Sequence, residues 1–206
     1  MNWLAHAYLS KRNIEFRIGN ILPDLVSITE LKKFSSLFQE GIACHKAIDL
    51  FTDSHPIVKN SISRIPANYR RYGGILTDVF YDHFLAKNWE LYSSVSLSEF
   101  SKGLYRELNS IEDDVPDEIL YKFRRIFEHN IFETYKDISG IEIALQRIDL
   151  RLRRPAKLGS AIAILEQHYD LYEAEFAGFF VELQAHVKPY INVRGRRESR
   201  VSGERR

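Results

Sequence analysis

Cysteine is nearly absent: Cys44 is the single one in 206 residues, so no intramolecular disulfide forms and no thiolate-rich zinc site can be built. Next to His45, it reads as a small buried hydrophobe rather than a reactive thiol. No apolar run approaches the ~18 residues of a membrane span, and the opening MNWLAHAYLSKRN lacks a basic stretch ahead of an apolar core. The expectation is therefore a cytoplasmic protein with no membrane partner. Neither sign of charge is in excess, with 29 Lys and Arg against 28 Asp and Glu and a net charge of +1, and no nucleic-acid partner is expected. There is no Ser-His-Asp elbow, no Walker loop and no GxGxxG, which argues against a serine hydrolase, a nucleoside triphosphatase and a dinucleotide enzyme. Strict alternation of apolar and polar residues never lasts more than a few positions, and no internal repeat is evident. The fold class expected is all-α.

What is present is helical periodicity in a chain sized for one domain. Residues 1–190 read as a single helical bundle with a metal site between its central helices, and 191–206 as an arginine-rich tail, solvated or serving as a partner-binding arm. A helix over 37–54 stops at His55-Pro56, because the residue before a proline avoids the α region. The segment 69–89 is apolar around most of its circumference, as a buried central helix is. SGIEIALQRIDLRLRRP reads as a helix closed by Pro155, and 157–191 as one long amphipathic helix.

The residues that carry chemistry gather early. In GIACHKAIDLFTDSHP, His45, Asp49 and Asp53 follow at intervals of four, which stacks them on one helix face. ILTDVFYDHF repeats the spacing with Asp78 and Asp82 and adds His83 directly after. Buried carboxylates and imidazoles need partners, and two inward-turned stripes can meet around a divalent ion. Asp24 and His6 would reach in from the N-terminal segment. Imidazole nitrogen and carboxylate oxygen without thiolate suit Mn²⁺, and also Mg²⁺ or Fe²⁺. Such an ion activates water and polarises a phosphoryl oxygen. The competing reading is that these are hydrogen-bonded core histidines and helix-surface carboxylates. Asp53 and His55 sit near a helix end, and His129, His168 and His186 belong to ordinary amphipathic segments. Two basic groups, Arg70 with Arg71 and Arg151 with Arg153 and Arg154, are either phosphate-binding forks or solvated helix ends.

MNWLAHAYLS, GNILPDLV, GIACHKAIDLFTDSHPIV, RRYGGILTDVFYDHFLAKNW and RLRRP resemble, in the same order, the family of acyl carrier protein phosphodiesterases. The resemblance is strongest over residues 1–90 and thins to helix pattern and RLRRP up to residue 188. It implies an all-helical, non-canonical branch of the HD-domain phosphohydrolases, in which the adjacent pair here, Asp82-His83, stands in reverse order. It also implies metal-dependent hydrolysis, typically with manganese, of the phosphodiester joining 4′-phosphopantetheine to the carrier's serine. The motif positions carried over are His6, Asp24, His45, Asp49, Asp53, His55, Asp78, Asp82 and His83. The expected roles are Asp24, His45, Asp78 and Asp82 as metal ligands and Asp49 and His83 as catalytic groups. His6, Asp53 and His55 would support them, and Arg70, Arg71, Arg151, Arg153 and Arg154 would meet the phosphate or the acidic carrier protein. A phosphohydrolase of a nucleotide or another small phosphoester, and a non-catalytic helical binding protein, are the alternatives.

Overall fold

A computed structural model describes residues 1–128 and 130–192, and every regular element among them is helical. In chain order the α-helices are α1 (Trp3–Tyr8), α2 (Ile14–Gly19), α3 (Ile28–Leu31), α4 (Ser36–Ser54), α5 (Pro56–Ser63) and α6 (Gly73–Lys87). They continue with α7 (Leu97–Leu108), α8 (Asp117–Glu128), α9 (Ile131–Thr134), α10 (Ile138–Asp149), α11 (Ile162–Gln167) and α12 (Tyr169–Ile191). No helix among the described residues is long and apolar enough to cross a membrane. His129 and the arginine-rich stretch 193–206 lie outside the described residues.

The helix α6 runs through the middle, as its apolar circumference predicts. Leu76, Val79, Phe80, Phe84 and Leu85 are buried, and α1, α5, α10 and α12 pack around it. Against it α12 sets Tyr172, Phe176, Phe179 and Phe180, all buried. Each aromatic ring so removed from water stabilises the fold by roughly 1.5–3 kcal/mol. α4 ends where expected: His55 is extended at ψ 132° and caps α5, its Nδ1 accepting the Ile57 N–H at 3.3 Å, while Pro56 takes the first helical position.

Two glycines set a close helix contact. A Cβ on Gly41 would lie 2.1 Å from the Phe16 carbonyl oxygen, and one on Gly19 would lie 2.3 Å from that of Phe38. α2 and α4 therefore touch backbone to backbone, which brings Asn20, the residue after α2, against the turn of α4 that bears His45. Gly41→Ala should lower stability by about 1–3 kcal/mol through overpacking and draw Asn20 away from His45. Urea unfolding at an unchanged midpoint would contradict this contact.

Two expectations need correction. α10 stops at Asp149 instead of running to Pro155, because the Asp149 carboxylate accepts the N–H groups of Ala156 (2.7 Å) and Lys157 (3.1 Å) and closes a loop over the RLRRP stretch. The long C-terminal helix is also broken. Lys157 at φ 57° leads into a 3₁₀ turn at Leu158–Ala161, and His168 (φ −121°, ψ 26°) separates α11 from α12. Apolar periodicity survives such breaks and so does not reveal them.

Candidate active site

The α4 stripe delivers His45 and Asp49 side by side. The His45 Nε2 lies 2.9 Å from one Asp49 oxygen and 3.9 Å from the Asp24 carboxylate. Its Nδ1 is 2.9 Å from the Asn20 carbonyl, which can only accept, so that nitrogen carries the proton. α1 adds His6, whose ring stacks on His45 with centroids 4.2 Å apart. The His6 Nδ1 lies 3.1 Å from the Asn20 Oδ1. The Asn20 Nδ2 donates to the His6 carbonyl and to Ser10 Oγ, both at 2.9 Å, which fixes the amide's orientation and makes the His6 Nδ1 a donor too. The His6 Nε2 then faces two acceptors, the Met1 carbonyl at 3.1 Å and Asp49 at 3.3 Å.

Two imidazole nitrogens, a carboxylate and a carbonyl thus converge with lone pairs pointing at one another. Only positive charge makes that arrangement favourable. One ligand atom each from His6, His45 and Asp49 lie within 4.8 Å of one another. Each ring's other nitrogen is held by Asn20, the outer support that orients imidazoles toward a metal. The donor set fits a divalent ion.

The electrostatics agree. Burial works against the Asp49 carboxylate, but hydrogen bonds from His45 and His6 outweigh it and hold the carboxyl well below its usual range. For His45, burial disfavours the imidazolium, yet the Asp49 carboxylate prevails and raises its pKa. Burial keeps His6 low. The buried Met1 amino group stands 3.1 Å from Asp78 and 3.6 Å from Asp49; burial opposes its charge, but these carboxylates push it up to about 10. Burial raises Asp78 in turn. A metal bound at His45 must displace the proton that Asp49 stabilises there. Metal affinity should therefore rise with pH over a window that lies above about 6.5, the ordinary imidazole value from which Asp49 pushes His45 upward, with about one proton released per ion. Calorimetry in two buffers of different ionisation enthalpy reads both; affinity flat across that window would contradict the His45 assignment.

The remaining residues predicted from sequence fall elsewhere. Asp82 is buried and accepts the N–H groups of Leu4 (2.9 Å) and Ala5 (3.2 Å), capping α1 from outside. His83 points away, bonded through Nδ1 to the Tyr135 carbonyl at 2.8 Å and through Nε2 to the Tyr169 hydroxyl at 2.6 Å. The expected ligands Asp24, His45, Asp78 and Asp82 are thus not brought to one point, since Asp82 is taken up by α1, and His83, expected as a catalytic group, lies apart from the cluster. Adjacent residues on α6 diverge by about 100°, and Asp82 and His83 are both buried. Asp53 is exposed. His55 is a cap that also meets Glu182 at 3.3 Å. Arg70 donates to the Ile65 carbonyl, and Arg71 lies over the Tyr72 ring. Arg153 and Arg154 are exposed, and Arg151 lies over Trp3, 5.5 Å from the ring centroid. Cys44 is buried, and burial pushes its thiol up to about 12. Asn20, the support for both histidines, was not singled out from sequence; a lone asparagine between two helices carries no spacing signal.

The fold and the cluster define an all-helical protein with a metal-capable histidine–aspartate centre, equipment suited to hydrolysis. A family model for acyl carrier protein phosphodiesterases matches residues 1–183. The chain belongs to that family and is, with it, a hydrolase. Curated relatives carrying the same name include a protein of Yersinia enterocolitica, 29% identical over 91% of this chain and 98% of its own length. Another, from Escherichia coli, is 28% identical over 90% of this chain and 96% of its own. No solved structure matches the chain.

Proposed function

We propose that this chain hydrolyses the phosphodiester between 4′-phosphopantetheine and the serine of a holo-acyl carrier protein, in the cytoplasm, releasing 4′-phosphopantetheine and the apo-carrier. The observation that carries the reading is the convergence of His6, His45 and Asp49 in a chain of this family. These three, with Asp24 beside His45, would hold a divalent ion, Mn²⁺ first and Mg²⁺ or Fe²⁺ as substitutes. This set differs from the one the sequence suggested: His6 and Asp49 replace Asp78 and Asp82 as ligands. Kinship with HD-domain enzymes remains part of the proposal, with His45 and Asp49 one turn apart taking the place of an adjacent pair.

Bound there, the ion supplies Lewis-acid charge to the phosphoryl oxygens and makes a water more acidic. Asn20 keeps both Nε2 atoms turned inward, so the site needs little rearrangement. Asp24, 3.9 Å from His45 and 37% exposed, would join the ion from its solvent side. Asp78 balances the Met1 ammonium. Arg151 adds positive charge toward an anionic diester and an acidic carrier, which favours encounter.

The test is incubation with holo-acyl carrier protein and Mn²⁺, with and without a chelator, reading product masses. Loss of the phosphopantetheine mass only where metal is present is the expected result. Intact holo-carrier beside metal-loaded protein would overturn the reading and favour a smaller phosphoester as substrate.

A further inference from the structure

Beside the cluster, and sharing Asp24 with it, lies a cavity of about 560 Å³, within the range of roughly 300–1,000 Å³ that small ligands occupy. Its walls are mostly apolar, from Leu25, Ile126, Ile131, Ala144 and Ile148, with Asn2, Thr134 and Tyr135 as polar points. Lys122, Arg125, Arg147 and Arg151 also line it, and the last two have no carboxylate partner among the described residues. An apolar hollow that begins at a phosphodiester-cleaving centre and is edged by cations matches a ligand with a charged head and a long, uncharged, amide-bearing body. A smaller hollow also meets Asp24, but it carries Glu30 and Glu118, which suits an anion poorly.

Resting on the function proposed above, we infer that this cavity between α8, α9 and α10 receives the pantetheine arm of the substrate. The phosphate end lies toward Asp24, and the geminal dimethyl and amide portions run along Ile148, Ala144 and Thr134. Arg147 and Arg151 face the diester charge at the entrance. Specificity for this prosthetic group over other phosphodiesters then resides in α8 and α10, outside the metal cluster.

Binding of free 4′-phosphopantetheine and of inorganic phosphate is measured by calorimetry on the full-length chain with Mn²⁺, alongside hydrolysis of holo-carrier. Two variants are compared: Ile148→Trp, which fills the hollow, and Arg147→Glu, on an exposed position where folding is not at stake. Ile148→Trp should weaken 4′-phosphopantetheine at least about tenfold and leave phosphate unchanged, whereas Arg147→Glu should weaken both. KM for holo-carrier should rise with each variant. If the wild type cleaves holo-carrier and both variants bind and cleave as it does, the subsite is wrong and the function stands. If the wild type does not cleave, yet Ile148→Trp abolishes 4′-phosphopantetheine binding, the subsite stands and the function falls. No binding by the wild type sinks the subsite.

Discussion

Asp49→Asn should reduce hydrolysis of holo-acyl carrier protein on the order of 10³-fold and strip the protein of tightly held metal, with the helical fold intact. Among the described residues, Asp49 is the one side chain whose two oxygens meet both histidines, 2.9 Å from His45 and 3.3 Å from His6. An amide in its place keeps the shape but loses the negative charge, and its NH₂ group would face a lone-pair-bearing nitrogen or the ion itself. The side chain is 38% exposed, so the substitution leaves no packing void and no reason to unfold. His83→Ala is the informative contrast. That ring is bonded to Tyr135 and Tyr169, so its loss should cost stability while metal content stays at the wild-type level. Circular dichroism, metal analysis and a mass-based assay on both variants separate the two roles. Metal lost from His83→Ala and retained by Asp49→Asn would move the site to α6, where the sequence placed the ligands Asp78 and Asp82.

The second large effect belongs to Asp82. Its carboxylate satisfies two of the amide donors that every helix leaves unpaired at its start, here those of α1, which carries His6. Asp82→Ala strands both donors in a buried place, at about 1–3 kcal/mol each, and frees α1 to move His6 off Asp49. Stability and activity should fall together. Asp82→Asn retains an acceptor and should lose much less. A further signature is the pH dependence. Burial pushes the Asp82 carboxyl up to about 7, against the amide hydrogen bonds that favour its ionised form. The unfolded chain's carboxyl titrates near 3.9, so between about pH 4 and 7 the folded state binds the extra proton. This group's contribution therefore decreases as pH rises through that window, approaching about 1.4 kcal/mol per pH unit. Urea unfolding at several pH values should show that slope in the wild type and a flatter one in Asp82→Asn. Parallel slopes would mean that Asp82 ionises in the fold as easily as in water.

How far the chain's letters reveal this can be judged residue by residue. The four-residue spacing of His45 and Asp49 on a helix is legible because it depends only on helical geometry, and the burial of α6 follows from its apolar circumference. The same spacing also points to Asp53, which is exposed. The roles of Asp82 and His6 were not separable by periodicity: one caps α1 and the other joins the cluster, and which does which depends on how α1 docks on α6. Nothing in the local sequence marks Gly41, where a Cβ would lie 2.1 Å from the Phe16 carbonyl oxygen and a side chain is therefore excluded. Arg147 and Lys122 carry no local signal at all, since the hollow they line exists only once α8, α9 and α10 have packed beside the N-terminal segment that bears Asn2 and Asp24.

The central claim is that His6, His45 and Asp49 form the metal centre. Crystals of the full-length protein soaked in Mn²⁺ and measured at the manganese absorption edge test it most directly. A single strong anomalous peak roughly 2.0–2.3 Å from the Nε2 atoms of His6 and His45 and from an Asp49 oxygen is the predicted result. A peak between Asp78, Asp82 and His83, with the His6–His45–Asp49 group bare, would contradict the account.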